Sequence, residues 1–456
     1  MHFHRPSHFR SSLRSIVLLA ALTLASHAAN AEALLLVEAD SGKVLQAENA
    51  TYPWYPASIT KLMTAYVTLK AVKEGRITLD TMFTVSPTAA SQSPSKMGFR
   101  PGTRVTVDNA LKMLLVKSAN DMAVVLAEGV GGSIDGFAAM MNDNARRLGM
   151  TQTHYVNPNG LPADGHVTSA RDIAILARAI VHDLPEYEYF VDIPSIRYGH
   201  RITQNFNKLI GRYPGADGFK TGFICASGYN LVASATRNGK RLIAVVLGAS
   251  SGHARSIKAI QMLDRGFAND SLSWLKPSLG TVDSLVPVDA SPPDLHDEMC
   301  SGRRHKPASD EDEDTTATSD SSGQALAFFA TGQAPALKPS EVLAAAPTPS
   351  EPIPVYTGPT RTGAALIAAV AADSNEQTAA ARHGKRSRHT AKKPPEAGPD
   401  EAGNAAKPKA VKHANAKPDA AARNADKPAT SDKPAKPKAA AKRTKPAPKS
   451  DVKSSG

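Results

Sequence analysis

The chain has 456 residues, enough for two or three domains, and a formal net charge of +12. This charge is not evenly spread, because residues 381–456 hold 20 Lys and Arg against 7 Asp and Glu, a net charge of +13. The rest of the chain is therefore nearly neutral, which excludes a uniformly basic nucleic-acid-binding body. Only two cysteines are present, Cys225 and Cys300, too few for a disulfide scaffold, so the fold must depend on a hydrophobic core.

Residues 1–31 have the pattern of a secretory signal peptide. A basic start is followed by the apolar run SIVLLAALTLA and by the small-x-small sequence ANA, which ends at Ala31. The apolar run is shorter than the roughly 20 residues that span a bilayer. We expect cleavage after Ala31 and export to the periplasm or cell envelope, with an uncleaved anchor as the alternative. In that oxidising compartment the two cysteines could pair, but free thiols are the favoured interpretation.

The exported chain begins with strand and helix signals. The stretch ALLLVEADSGKVLQAEN predicts a β-hairpin with its turn at residues 40–42, and ITKLMTAYVTLKAV predicts a helix. The stretch VDNALKMLLVKSANDMAVVLAEGV predicts two helices, the first capped near Asp108, with a break at residues 118–120.

The second half of this body alternates in the same way. The stretch SARDIAILARAIV predicts a helix, and SGYNLVASATRNGKRLIAVVLGAS predicts two strands joined by an Asn-Gly hairpin turn. A last helix is predicted over ARSIKAIQMLDRGF. The order of elements predicts an α+β fold, a mainly antiparallel sheet flanked by helices, with its core over residues 32–275.

The apolar pattern ends beyond this body. Residues 276–305 are predicted to form a short extension or linker, and residues 306–456 a mostly disordered low-complexity tail that is basic from about residue 381. Within the tail, GAALIAAVAA (residues 363–372) could be a short helix that docks, although alanine-rich filler is the favoured interpretation. The basic tail could bind an anionic polymer of the cell envelope, or it could be a solvated linker.

A serine and a lysine stand one helical turn apart where the first helix begins. Ser58 needs a base within hydrogen-bonding reach to act as a nucleophile, and Lys61 lies on the same helical face. A lysine can serve as a base only if its pKa is lowered by burial and by a nearby cation, for which Lys220 is the candidate. The backbone N–H of Ser58, at the first turn of a helix, could stabilise developing negative charge.

Two further short motifs follow in order. Ser118 could relay a proton to the leaving amine, and Asn120 could hold the substrate amide and orient Lys61. Lys220 and Thr221 could bind a substrate carboxylate. A strand after Gly222 could pair with an extended peptide, and the N–H of Phe223 would complete an oxyanion hole. Each motif alone is more consistent with a helix cap or a turn, but the three in this order favour a catalytic site.

These motifs, with NPNGLPADGHVTSARDIAILARAI between them and GADGFKTGFICASGYNLVASATRNGKRLIAVVLGAS at the end, resemble the D-alanyl-D-alanine carboxypeptidases among the low-molecular-mass penicillin-binding proteins. The resemblance covers residues 33–267. It implies a β-lactamase/transpeptidase-like fold with a helical subdomain, and a serine peptidase that removes the terminal D-alanine of peptidoglycan stem peptides through an acyl-enzyme, which β-lactams trap. The matching positions assign Ser58 as nucleophile, Lys61 as base, Ser118 and Asn120 as the second motif, and Lys220, Thr221 and Gly222 as the third. A weaker match places a carboxylate-binding arginine at Arg255.

The chain departs from the resemblance in three respects. It has at most a remnant of the family's second domain, its C-terminal region is too rich in proline for an amphipathic anchor helix, and Ile224 stands where relatives often have threonine.

Several alternatives remain open. An endopeptidase or transpeptidase would use the same site, and a serine β-lactamase would need a deacylating glutamate, for which Glu128, Glu186 and Glu188 lack the expected sequence context. A protein of another class would be an inert body that binds the cell wall through its basic tail. No metal-binding spacing occurs in the sequence, so we expect no metal, no other cofactor and no nucleic-acid partner.

Overall fold

The central feature of the fold is a five-stranded antiparallel sheet formed, in spatial order, by residues 44–48, 33–38, 240–249, 228–237 and 216–224. The computed structural model describes residues 32–268, 277–301 and 337–389. The predicted signal peptide and the tail beyond residue 389 lie outside the described residues. The strands are β1 Ala33–Glu38, β2 Val44–Glu48, β3 Met82–Thr84, β4 Arg104–Thr106, β5 Ser195–Tyr198, β6 Arg201–Gln204, β7 Ala216–Ile224, β8 Gly228–Arg237, β9 Lys240–Ala249 and β10 Ile353–Pro354. The helices are α1 Thr60–Lys73, α2 Pro87–Ser91, α3 Val107–Val116, α4 Asn120–Gly131, α5 Ile134–Arg147, α6 Ala170–Asp183, α7 Gly252–Phe267, α8 His296–Cys300, α9 Pro339–Ala344 and α10 Gly363–His389.

The inner strands bury side chains on both faces of the sheet. In β1, Leu35 and Val37 belong to the larger core, and the alternate residues Leu34 and Leu36 belong to a second core on the opposite face. Helices α1 and α3–α6 cover the first face, and α7 covers the second. Burial on both sides explains why these strands are continuous apolar runs in the sequence.

The predicted hairpins and long helices are present, which confirms the α+β interpretation. Strands β8 and β9 are joined by Asn238 and Gly239, with φ values of 51° and 75°, as a two-residue hairpin turn requires. The first helix of the predicted pair is capped by Thr106, whose side chain accepts from the N–H of Asn109, and not by Asp108, which pairs with Lys112 in the first turn. Strand β7 also begins earlier than expected, at Ala216, so the third motif lies within it.

Residues 277–301 pack on the body as an ordered extension. The Val44 N–H donates to the carbonyl of Gly280, and the Val282 N–H donates to that of Gly42. Cys300, at the end of this extension, forms a disulfide with Cys225, at a Cα–Cα distance of 5.7 Å. The expectation of free thiols was therefore wrong: two cysteines separated by 75 residues give no local sequence signal of proximity, and the packing of the extension brings them together.

Residues 337–389, which we call the C-terminal strap, also differ from the prediction of a disordered tail. Strand β10 pairs in parallel with β5, and the Gly358 N–H donates to the carbonyl of Arg104 at 2.7 Å. The predicted alanine-rich filler lies in α10, whose Ala369 is buried and whose Gln377 donates to the Tyr198 carbonyl. Pairing and burial at these points supply the ordering free energy that the composition of this stretch does not indicate.

Within the described residues, no single helix is long and apolar enough to cross a membrane. Helices α4 and α5 meet the criterion of length and composition only as a pair, and they are bent by 83° at their junction.

Candidate active site

Ser58 lies in a single 3₁₀ turn, Ala57–Ile59, immediately before α1. The turn is fixed to the sheet by Asn230 of β8, whose side-chain amide donates to the carbonyl of Tyr55 at 3.0 Å. Ala57 has a φ of 49°, an unusual left-handed conformation for a residue with a side chain. A constrained turn of this kind fixes the Ser58 hydroxyl at the edge of the sheet.

Two glycines allow other segments to approach this turn closely. A Cβ added to Gly160 would lie 1.8 Å from the carbonyl oxygen of Ala57, and one added to Gly222 would lie 2.9 Å from the backbone nitrogen of Ser58. Only glycine fits at either position without displacing the nucleophile turn. The contact at Gly222 also places the N–H of Ser58 beside β7.

Lys61 is completely buried in the first turn of α1. Its Nζ lies 2.8 Å from Ser58 Oγ and donates to the carbonyl oxygen of Asn159 at 2.7 Å. Burial favours the neutral form of an amine, the form that can accept a proton from the serine. Lys61 is thus buried and within hydrogen-bonding distance of Ser58, two of the features that a serine nucleophile and a lysine base would need.

The loop of residues 157–161 positions Lys61, a role that no motif in the sequence indicates. The carbonyl of Asn159 in this loop accepts from Lys61. Two hydrogen bonds within the loop stabilise its shape: the Gly160 N–H donates to Asn157 Oδ1 at 2.7 Å, and Asn157 Nδ2 donates to the Leu161 carbonyl at 2.9 Å. The stretch NPNGL indicates a turn, but no local pattern shows which buried side chain the turn will contact.

His166 supports the start of helix α1, next to Lys61, through a hydrogen bond to Thr60. Its Nδ1 accepts from the N–H of Val156 at 3.0 Å, so Nε2 carries the proton and donates to Thr60 Oγ1 at 2.8 Å. Burial lowers the pKa of His166 to about 4. The imidazole is therefore neutral at pH 7.

The second motif occupies the break between α3 and α4. Ser118 has a φ of 59°, and it lines the same cleft as Ser58. Asn120 begins α4, with its side-chain amide donating to the Ser93 carbonyl at 2.9 Å. Its Oδ1 is buried beside the cleft without a hydrogen-bond partner among the described residues, as expected for an acceptor that a substrate N–H would satisfy.

Asp121 fixes the loop that covers this motif. Its carboxylate accepts from the N–H groups of Met97 at 3.1 Å and Gly98 at 2.9 Å. Burial raises the pKa of Asp121, although these hydrogen bonds oppose the shift. Residues 93–98 are thereby held against the start of α4.

The third motif lies on β7, an edge strand of the sheet. Lys220 and Thr221 are both buried, and Lys220 Nζ donates to the Thr221 carbonyl at 3.1 Å. Gly222 faces the Ser58 turn, and Phe223 lines the cleft. Because β8 occupies only one side of β7, the other side can pair with an extended peptide.

Arg255 lies on α7 and is buried behind the third motif. Its Nη1 donates to the carbonyl of Gly222 at 3.3 Å and to that of Asn230 at 3.2 Å. In this structure its guanidinium supports β7 and β8 through their backbone carbonyls.

The cleft contains no carboxylate among its described lining residues, which are Ser58, Pro94, Ser95, Ser118, Asn120, Asn159, Gly160, Leu161, Phe206, Phe223 and Ile224. Glu128 accepts from Ser86, Glu186 pairs with Lys73, and Glu188 pairs with Arg241. The described residues also hold no group of three or more His, Cys, Asp or Glu side chains that could bind a metal ion.

Comparison with known proteins identifies the family. The family model for D-alanyl-D-alanine carboxypeptidases, peptidase family S11, matches residues 20–251. The chain is 39% identical over 273 residues to the D-alanyl-D-alanine carboxypeptidase DacC of Escherichia coli K12, covering 58% of this chain and 68% of that one. DacF of Bacillus subtilis is 37% identical, over 52% of this chain and 62% of its own length.

Solved structures agree with the sequence comparison. Penicillin binding protein 5 from Haemophilus influenzae matches with a TM-score of 0.51 and 35% identity, over 52% of this chain and 71% of that one. The D-alanyl-D-alanine carboxypeptidase DacD from Francisella tularensis matches with the same TM-score and 30% identity, over 52% and 70% of the two chains. The chain thus spans about two thirds of the length of the curated relatives. It belongs to the D-alanyl-D-alanine carboxypeptidase family of serine peptidases.

Proposed function

We propose that this protein removes the C-terminal D-alanine from peptidoglycan stem peptides by way of an acyl-enzyme on Ser58. The observation that carries the proposal is the 2.8 Å contact between Ser58 Oγ and the buried Lys61 Nζ. This pair lies between a second motif that lines the same cleft and an open strand edge that can bind a peptide. Membership of the carboxypeptidase family supports this reaction, and the arrangement of Ser58 and Lys61 is consistent with it.

Acylation begins when Ser58 Oγ attacks the carbonyl carbon of the penultimate D-alanine. Neutral Lys61 accepts the hydroxyl proton, and the carbonyl oxygen becomes an oxyanion that accepts from the N–H groups of Ser58 and Phe223. The C–N bond then breaks, and Ser118 relays the proton from Lys61 to the departing amine, which returns Lys61 to its neutral form. The products of this half-reaction are free D-alanine and an ester on Ser58.

Substrate recognition uses the groups around the nucleophile. Lys220 and Thr221 bind the terminal carboxylate, and Asn120 Oδ1 accepts from a substrate amide N–H. Arg255 positions the strand through the carbonyl of Gly222. Deacylation reverses the roles: Lys61 takes a proton from a water molecule, which attacks the ester and releases the shortened peptide and Ser58.

β-Lactams fit the same scheme. Penicillin carries a strained amide and a carboxylate, so its ring opens on Ser58 and leaves a penicilloyl ester. The named relative from Haemophilus influenzae is a penicillin binding protein. A β-lactamase is disfavoured because none of the described residues lining the cleft is a glutamate that could activate the deacylating water.

We also propose where the protein acts and what its basic C-terminal tail binds. The signal-peptide pattern supports action in the periplasm or cell envelope, where the substrate occurs. The net charge of +13 over residues 381–456 suits weak, salt-dependent binding to an anionic envelope polymer.

The test is to measure D-alanine release from a Lys-D-Ala-D-Ala peptide and covalent labelling by fluorescent penicillin. Ser58→Ala should abolish labelling and lower kcat/KM by about a thousandfold or more. Ser41→Ala, in an exposed turn, is the matched control and should behave like the unaltered protein. Continued labelling of Ser58→Ala would refute the assignment of the nucleophile.

A further inference from the structure

A pocket that contains Asp164 adjoins the catalytic cleft at the C-terminal end of β7, and the scheme above gives it no role. We call it the Asp164 pocket. It shares three lining residues with the cleft, Gly160, Leu161 and Ile224. The rest of its described lining comes from residues 55–57, the loop up to His166 and the turn after β7. Its volume is about 180 Å³, several times the roughly 30 Å³ that a water molecule occupies in the liquid.

The direction of the bound substrate leads into this pocket. In the proposed complex the terminal carboxylate lies at Lys220 and Thr221, and the scissile carbonyl lies at Ser58 and Phe223. A peptide paired in this way with the open edge of β7 runs antiparallel to the strand. The residue that precedes the two D-alanines therefore lies beside Ile224, which lines both the cleft and the pocket.

The lining of the Asp164 pocket combines an aliphatic wall with a single carboxylate. Leu161, Pro162 and Ile224 are among the aliphatic residues of this wall. Asp164 is exposed, and no lysine or arginine occurs among the described lining residues. His166 also lines the pocket, but its pKa of about 4 leaves it neutral at pH 7. The pocket is therefore suited to an aliphatic chain that ends in a cation.

The turn that carries Asp164 is fixed by hydrogen bonds on both sides of it. The His166 N–H donates to the carbonyl of Ala163 at 3.1 Å, and His154 Nδ1 donates to the carbonyl of Gly165 at 3.1 Å. Gly165 has a φ of 75°, a left-handed conformation that glycine adopts without strain. A turn held in one conformation keeps the carboxylate near the pocket and lowers the entropy cost of binding a cation there.

We propose that the Asp164 pocket binds the side chain of a diamino acid that precedes the two D-alanines, with Asp164 pairing with its ammonium group. The inference rests on the proposed function, because it assumes a stem peptide bound at Ser58 in the orientation given above. It makes Asp164 a specificity-determining residue. Acylation of the side-chain amine removes its charge, so the pocket favours stem peptides whose side-chain amine is still free.

The test compares kcat/KM for three Nα-acetylated Lys-D-Ala-D-Ala peptides, normalised to active sites titrated with penicillin. The first peptide has a free lysine amine. The second has an Nε,Nε-dimethyl amine, which is bulkier but still charged, and the third has an Nε-acetyl group, which is bulky and neutral. The unaltered protein should cleave the two charged peptides about fivefold more efficiently than the neutral one. High salt should reduce this preference, because Asp164 is exposed.

Substitution of Asp164 should change the preference according to charge. Asp164→Asn should reduce it to less than about twofold, and Asp164→Lys should reverse it, so that the neutral peptide becomes the best substrate of the three. Asp40→Asn is the matched control. It removes an exposed aspartate in the turn between β1 and β2, at the opposite edge of the sheet from β7, and it should keep the full preference.

The outcomes separate the two proposals. Failure of the unaltered protein to cleave any of the three peptides would overturn the proposed function. Equal kcat/KM for the charged and neutral peptides would overturn only the pocket proposal. Poor cleavage of both modified peptides would also overturn it, since bulk and not charge would then be selected. A preference that persists in Asp164→Asn would overturn it too, because another group would then recognise the ammonium.

Discussion

At the scale of single residues, His166 shows how a buried polar group can hold the start of α1 in place beside Lys61. Its two ring nitrogens have fixed and opposite roles, one accepting from Val156 and the other donating to Thr60. A second proton on Nδ1 would remove the acceptor and place a cation in the region of Lys61. The lowered pKa, about 4, keeps this from happening across the neutral range.

This arrangement predicts a pH dependence of stability. Because the folded-state pKa of His166 is about 4 and the ordinary value is 6.5, the unfolded chain binds a proton first as the pH falls. The contribution to stability is therefore complete above the ordinary pKa and declines as the pH drops toward the folded-state value. Between about pH 7.5 and about pH 5 the free energy of unfolding should fall by about 2 kcal/mol through this group.

Urea unfolding at the two pH values measures this decline. His166→Gln keeps a donor and an acceptor and should show a smaller decline than the unaltered protein. His253→Gln, which replaces an exposed histidine on α7, serves as control. An unchanged decline in His166→Gln would show that other groups cause it.

The sequence indicates the contact between the candidate nucleophile and its base better than it indicates the residues that hold them. Ser58 and Lys61 are one helical turn apart, so the pattern itself indicates their contact. The partner of Lys61 at Asn159 and the space kept by Gly160 depend on tertiary packing between segments about a hundred residues apart, which no local spacing expresses. For the same reason, the position of Arg255 behind β7 could not be read from the motif.

At the scale of elements, the extension of residues 277–301 is fastened close to the active site. The disulfide joins α8 to Cys225, which directly follows β7, and the Leu295 N–H donates to the carbonyl of Ala226 at 3.0 Å. Trp54 lies just before the nucleophile turn, and its indole N–H donates to the carbonyl of Ser227 at 3.0 Å. Ser227 belongs to the same turn after β7 as Cys225 and Ala226. The extension thus stabilises the end of the strand that carries the third motif.

Loss of the disulfide should therefore affect stability and, to a smaller extent, the site. Cys225→Ser combined with Cys300→Ser should reduce the free energy of unfolding by up to about 4 kcal/mol, from the loop-closure entropy of a loop with a sequence separation of 75 residues. Acylation by penicillin should slow by only a few fold, because Asn230 still fixes the turn that carries Ser58 and the carbonyl of Asn159 still binds Lys61. Chemical denaturation and stopped-flow labelling measure the two effects. Equal stability of the unaltered protein with and without reductant would contradict the prediction.

Elements were predictable where the residues themselves encode the turn or cap. The Asn-Gly turn between β8 and β9 and the serine cap before α6 are examples, since each depends on neighbouring residues. Strand β10 is the opposite case. It is two residues long, contains a proline and exists because β5 presents a free edge, so its own sequence gives no strand signal.

At the scale of the whole molecule, the C-terminal strap connects two elements of the catalytic body, strand β5 and helix α3. The Val355 N–H donates to the carbonyl of Arg197 on β5 at 2.9 Å, and the Tyr356 N–H donates to the side chain of Asn109 on α3 at 3.2 Å. Val355 is fully buried and Tyr356 nearly so. The strap thus joins β5 to α3, and α3 leads directly into the second motif at Ser118.

Two truncations should therefore behave differently. Ending the chain after residue 389 removes only basic tail and should leave melting temperature and penicillin acylation unchanged, while weakening retention on anionic cell-wall polymer at low salt. Ending it after residue 301 also removes the strap and should lower the melting temperature by about 5 °C or more. Calorimetry and sedimentation with purified sacculi measure these effects. Equal melting temperatures for the two truncations would show that the strap contributes nothing to stability.

The pairing of Cys225 with Cys300 has a consequence for biogenesis. With two cysteines in the sequence, only one intramolecular connectivity exists, so oxidation cannot produce a scrambled monomer. Maturation needs an oxidant that accepts two electrons from the thiols, but it needs no disulfide isomerase to correct errors. Wrongly paired disulfides are then intermolecular, and their yield should rise with the concentration of unfolded protein.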